Sequence, residues 1–180
     1  PIVLCPNHVS YLDPFVLAAV LDWRTLTRTY WAGWTGAAFA NPFNRAVSRL
    51  AQAVPVDPGR AVASSLAFGA VALRRGDNLV WFPEGQRSVS GELLRFKPGI
   101  GLLLQHVDAR AVPVAIEGTH EAMPTGSRFF RPRKVRVRFG EPVAPDNLRQ
   151  RGEGERPEQC IADALHREVA RVKKELEEGP

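Results

Sequence analysis

The chain has 180 residues, 44% hydrophobic and 24% charged, with a formal net charge of +5. That length and balance fit one folded domain with a substantial core, and they exclude disordered and fibrous classes. Two cysteines, Cys5 and Cys160, exclude a disulfide framework or a cysteine metal set and point to a reducing, cytosolic setting. Ile2–Cys5 is a short apolar run that predicts a strand. Asn7–Asp13 reads as a polar loop and Phe15–Leu21 as a helix ending near Asp22 and Trp23. Thr27–Trp31 alternates like a strand, and Ala37–Ala51 reads as a helix with Phe39, Phe43, Val47 and Leu50 on one face and Pro42 in its first turns. Ala53–Val56 is a short strand, Asp57-Pro58-Gly59 a turn, and Arg60–Arg75 a helix ended by Gly76 and Asp77.

Asn78–Phe82 predicts a strand running into a polar turn, and Lys97-Pro98-Gly99 opens a helix over Ile100–His106. Ala111–Ile116 is a strongly apolar strand, followed by a Gly-, Pro- and Arg-rich loop from Glu117 to Arg133. Lys134–Phe139 alternates, with Val135, Val137 and Phe139 expected on the core side and Lys134, Arg136 and Arg138 in solvent. After a polar break over 152–156, residues 157–177 predict an amphipathic C-terminal helix with Ile161, Leu165, Val169, Val172 and Leu176 on one stripe. Strands alternating with helices predict a layered α/β fold in a single domain, 1–180, in which ligands sit beyond the carboxyl ends of the strands. No apolar run approaches the ~20 residues needed to cross a bilayer, so neither a transmembrane span nor a signal peptide is expected within these residues. The chain opens with Pro1 directly at a strand, and the expectation is that it lacks an N-terminal segment of a longer protein.

Two stretches carry chemistry. In Asn7-His8-Val9-Ser10-Tyr11-Leu12-Asp13, a His and a carboxylate five positions apart can fold into contact. A neutral imidazole takes a proton from a hydroxyl while the carboxylate orients its other nitrogen. In Phe82-Pro83-Glu84-Gly85-Gln86-Arg87-Ser88, glycine permits close backbone approach and Arg87 offers a bidentate fork for an anion. Taken alone, each stretch also reads as ordinary loop structure. Both follow strands directly, so both loops are expected at one edge of the sheet.

Together and in this order the two stretches resemble the glycerolipid acyltransferase family that makes phosphatidic acid from lysophosphatidic acid (PlsC-like). Its signature is Asn-His-x4-Asp followed about seventy residues later by Phe-Pro-Glu-Gly-x-Arg-Ser. Val54-Pro55-Val56-Asp57 and Val112–Ile116 with Gly118 and Thr119 fit less sharply, and the resemblance covers roughly residues 1 to 145. It implies a glycerol-3-phosphate acyltransferase-like fold and acyl transfer from acyl-CoA or acyl carrier protein, as co-substrate, to a lysophospholipid, with lysophosphatidic acid first among acceptors. It implies no cofactor and no metal. His8 is the implied base and Asp13 its orienter; Glu84, Gly85 and Arg87 are the implied glycerol-phosphate site. Two departures are Gln86, where the family often has Thr, and Asp57-Pro58, where many relatives carry an Arg; Arg60 is the nearest candidate to serve instead.

Oxyanion donors are sought among backbone N–H groups near Asn7 and Gly85. Ser10 lacks a nucleophile elbow and reads as a loop hydrogen-bonder, and Cys5 as a small buried residue. His106, His120 and His166 have no carboxylate at a telling spacing. Trp31 and Trp34 either pack in the core or line an acyl groove or membrane interface. The run Arg128, Arg131, Arg133, Lys134, Arg136 and Arg138 either docks on an anionic membrane surface or guards an edge strand. The expected setting is therefore the cytoplasm or, peripherally, the cytoplasmic face of a membrane. A non-catalytic lipid- or phosphate-binding module on the same fold is the alternative, and nucleic acid is not an expected partner because no recognition motif accompanies the charge.

Overall fold

The computed structural model describes residues 1–34, 52–56, 62–127 and 129–179. The predicted helix over 37–51 with Pro42, the turn Asp57-Pro58-Gly59, Arg60 and Arg128 lie outside the described residues.

Six strands form one sheet in the order β3-β2-β4-β1-β5-β6. They are β1 (Ile2–Pro6), β2 (Thr29–Trp34), β3 (Ala53–Val56), β4 (Asn78–Val80), β5 (Arg110–Glu117) and β6 (Arg136–Phe139). Five are parallel and β6 runs antiparallel to β5. The helices are α1 (Asp13–Val20), α2 (Trp23–Leu26), α3 (Val62–Arg74), α4 (Gly99–Gln105), α5 (Thr119–Ala122), α6 (Pro145–Arg151) and α7 (Pro157–Glu178).

Side chains of β1 alternate across the sheet, as the strand period requires. Val3 and Cys5 enter one core with Leu79, Ala111, Leu73 of α3, Ile100, Leu103 and Leu104 of α4, and Ile161, Leu165 and Val169 of α7. Leu4 enters the opposite core with Val80, Val112, Val114, Ile116 and Leu17 of α1. The result is the layered α/β fold that the alternation of strands and helices implies. Trp31 packs against this second core, which agrees with the packing reading of that residue. Because β1 and β5 are covered on both faces, they read as continuous apolar runs and are legible in sequence. On α7, Pro157 occupies the first turn and all five residues of the predicted stripe are buried. Its outer face carries ion pairs one turn apart, among them Arg167 with Asp163 and Arg171 with Glu175.

Three expectations need correction. Phe139 is 41% exposed instead of facing the core, because it closes the sheet's edge strand at the end of the register with β5. Val135 and Val137 do pack inward. Arg136 and Arg138 are not free solvent cations: Arg136 pairs with Glu117 at 2.7 Å and Arg138 with Glu175 at 3.4 Å. Helices α2 and α6 were not anticipated, nor was the short α5 inside the predicted loop from Glu117 to Arg133. The first has four residues, its N-terminus capped by Asp22 accepting from the Thr25 N–H at 3.0 Å; the second buries only Leu148.

Candidate active site

β1, β4 and β5 are parallel, so the loops that follow them leave the same edge of the sheet. The loop after β1 carries His8, the turn after β4 carries Glu84 to Arg87, and α5 follows β5. Asn7 fastens the first loop to β5. Its amide nitrogen donates to the Ile116 carbonyl at 3.0 Å, and its amide oxygen accepts the Ile116 N–H at 2.7 Å.

Asp13 is fully buried at the start of α1 and is saturated with donors. Its Oδ2 accepts from His8 Nδ1 at 2.8 Å and from the N–H groups of Val9 and Ser10 at 2.7 and 2.8 Å. Its Oδ1 accepts from the Thr119 hydroxyl at 2.6 Å. Asp13 also stands in the first turn of α1, so the helix end and the loop both aim backbone N–H groups towards it. With Oδ2 accepting, the proton of neutral His8 sits on Nδ1 and the lone pair on Nε2, which makes no hydrogen bond among the described residues. The imidazole lies on Phe82, ring centroids 4.1 Å apart, and its side chain is 16% exposed. It is thus held through Nδ1, through its ring face and through its backbone N–H.

Thr119 belongs to the stretch that fits the family resemblance less sharply, and the sequence assigned it no role at the site. Its aim depends on Gly118, whose φ of +86° suits glycine and where a Cβ would lie 2.1 Å from the Lys134 carbonyl oxygen.

Glu84 is almost fully buried. Its Oε1 accepts the His8 N–H at 2.7 Å and its Oε2 the Leu94 N–H at 3.0 Å. Burial pushes its pKa up to about 7, opposed by those two backbone donors and reinforced by the charge of Asp13. Both oxygens are therefore engaged in joining the two motifs, and the Ser88 N–H adds a second tie to the His8 carbonyl at 2.8 Å. Its neighbour Gly85 is exposed and Arg87 is half-buried. Gly85 has φ +68°, and a Cβ there would meet the Lys97 side chain at 2.9 Å. Arg87 stacks on Tyr11, its guanidinium carbon 3.6 Å from the ring centroid, and its Nε is buried with no hydrogen-bond partner among the described residues. Tyr11 and Lys97 are thus site neighbours that spacing alone did not single out.

The backbone donors expected for an oxyanion are largely committed. The Gly85 N–H donates to Phe82 at 3.1 Å, the His8 N–H to Glu84, and those of Val9 and Ser10 to Asp13. Ser10 is buried; its hydroxyl donates to the Met123 carbonyl at 2.7 Å and accepts the Leu12 N–H at 3.2 Å. Burial raises the Cys5 thiol far above its ordinary pKa, so it is no thiolate nucleophile. His166 packs edge-on to Phe96, and burial lowers its pKa. Among the described residues no cluster of three or more His, Cys, Asp or Glu could hold a metal ion, and no helix is long and apolar enough to cross a membrane.

Residues 1–117 match the family model described as Acyltransferase. The chain is 27% identical over 150 residues to a 1-acyl-sn-glycerol-3-phosphate acyltransferase of Cocos nucifera, covering 81% of this chain and 46% of that protein. It is 33% identical over 145 residues to the protein of the same name from Limnanthes alba, covering 78% and 50%. The crystal structure of the 1-acyl-sn-glycerophosphate (LPA) acyltransferase PlsC from Thermotoga maritima matches with a TM-score of 0.72 at 24% identity, over 98% of this chain and 65% of that one, a likeness of fold. The chain spans about half the length of the curated relatives it matches. With the family model reaching from the His8 loop through the Arg87 turn to the end of β5, the chain belongs to the acyltransferase family.

Proposed function

We propose that this chain transfers a fatty acyl group from a thioester, acyl-CoA or acyl carrier protein, to the free hydroxyl of a lysophospholipid, with lysophosphatidic acid as acceptor. The observation that carries the reading is the 2.8 Å contact of His8 Nδ1 with the buried Asp13, which leaves Nε2 as the base. The names of the curated relatives support the substrate class.

In the step proposed, Nε2 takes the proton of the acceptor hydroxyl as its oxygen attacks the thioester carbonyl. The tetrahedral adduct collapses with cleavage of the carbon–sulfur bond, and the imidazolium returns the proton to the departing thiolate. The products are an ester and a free thiol, so no covalent enzyme intermediate is needed. Asp13 stabilises the imidazolium. Arg87, flattened on Tyr11 and without a carboxylate partner among the described residues, supplies the fork for the acceptor phosphate. Glu84 acts by holding the two loops together.

The test is thiol release from a long-chain acyl-CoA, and in parallel from acyl carrier protein, with and without lysophosphatidic acid. Release that requires acceptor, and that falls about 10²–10⁴-fold in a folded His8→Ala protein, is the expected result. Release without acceptor would make the chain a thioesterase. Binding of acceptor with no release from either donor would make it a lipid-binding module.

A further inference from the structure

The loop between α5 and β6 presents two adjacent phenylalanines to solvent, Phe129 at 80% and Phe130 at 61% exposure. Arg131, Arg133 and Lys134 follow at once, all exposed, and none of them engages a carboxylate among the described residues, unlike Arg136 and Arg138. The tip is braced. The Ser127 hydroxyl accepts the Phe129 N–H at 3.1 Å, and the Arg131 N–H donates to the Ala122 carbonyl at 2.8 Å. At its base, the Thr125 hydroxyl lies 3.1 Å from the Ser88 carbonyl and 3.3 Å from that of Val9, and Ser10 reaches Met123. The loop is therefore tied to both motif loops, at the sheet edge where His8 opens. Phe15 in the first turn of α1 and Val89 just past the turn after β4 are also exposed, at 73% and 74%.

We propose that the Phe129–Phe130 tip with its three cations seats the domain on an anionic lipid bilayer, so that His8 Nε2 faces the surface from which the acceptor comes. The occupant follows from the chemistry of the patch. Paired aromatic rings held out in water bring no burial to the fold, whereas the headgroup layer accepts rings and pairs lipid phosphates with the adjacent cations. The inference rests on the reading above for the lipid nature of the substrate and goes beyond it in naming the docking surface.

Flotation of the 180-residue chain with phosphatidylcholine vesicles, pure or containing roughly a third phosphatidylglycerol, tests it. The chain floats with the anionic vesicles only. Phe129→Ser with Phe130→Ser lowers the partition coefficient at least about tenfold. Arg131→Gln, Arg133→Gln and Lys134→Gln together lower it about a hundredfold. Both variants keep thiol release with a short-chain, monomeric lysophosphatidate. Equal flotation of the double Ser variant, equal flotation on neutral vesicles, or no flotation of the parent chain would each overturn the proposal. The two readings fail separately: His8→Ala still floats, and flotation without thiol release from any donor would sink acyl transfer while leaving the docking surface intact.

Discussion

The loop after β1 and the turn after β4 sit side by side and are built to opposite rules. In the first, the polar groups of the base are paired: Asp13 takes four hydrogen bonds, Asn7 is locked to Ile116, and His8 is gripped through its ring, its N–H and its carbonyl. In the second, Glu84 is engaged, but Arg87 keeps a buried Nε with no partner among the described residues, beside an exposed Gly85. On the function proposed above, the base is finished before any ligand arrives, while the anion cradle is completed by one. Preorganisation is thus concentrated where proton transfer needs geometry, and unmet hydrogen-bonding capacity where binding needs an incentive.

Replacing Asp13 by Asn tests the finished half and carries the largest effect. The amide carries no charge to hold an imidazolium, and its nitrogen either opposes the N–H donors of the His8 loop or makes the Thr119 hydroxyl turn to accept. Turnover should fall about a thousandfold or more, with about 2–4 kcal/mol lost from the unfolding free energy. Denaturant titration beside steady-state kinetics measures both, and an active, stable D13N protein would break the contrast. Arg87→Gln tests the open half. The acceptor KM should rise about 10- to 100-fold with little change in kcat, while an acceptor lacking phosphate is handled as before. An unchanged KM would remove Arg87 from the cradle.

The smallest effect concerns the joint between the halves. Because the folded pKa of Glu84 lies near 7 and the ordinary value is 4.5, the folded state holds a proton that the unfolded chain has released between those pH values. The contribution of Glu84 to stability therefore falls as pH rises through that window. Glu84→Gln opposes an amide N–H to the N–H of His8 or Leu94 and costs about 1–3 kcal/mol. That cost should be larger near pH 4.5 than at pH 7.5, as read from thermal melts of both proteins across the range. A cost that grows with pH would place the charged carboxylate, not the protonated one, at the joint.

What could be read in the sequence follows from how local each cause is. β1, β5 and α7 announce themselves because their own side chains carry the pattern that buries them, and the pairing of His8 with Asp13 is written within five positions. The inward turn of Glu84 depends on N–H groups of His8, 76 residues away, and of Leu94, so a motif that looks like a ligand set conceals a brace. Thr119 reaches Asp13 from 106 residues away, and Arg136 and Arg138 find Glu117 and Glu175 on other elements. Helix α6, polar but for Leu148, has no stripe to read, and Phe139 sits on a face that the edge of the sheet leaves uncovered.

The bond between Asn7 and Ile116 spans 109 residues of chain and has a consequence for synthesis. Both motifs leave the ribosome well before β5 does, yet Asn7 has no backbone to hold and Asp13 has no Thr119 until that strand and the helix after it have emerged. Non-local closures of this kind form late. A nascent chain interrupted before Ile116 carries His8 and Asp13 but neither the backbone that Asn7 grips nor the Thr119 hydroxyl. The His8–Asp13 pair is thus fully braced only once the sheet is complete, so its geometry reports the finished assembly of the domain.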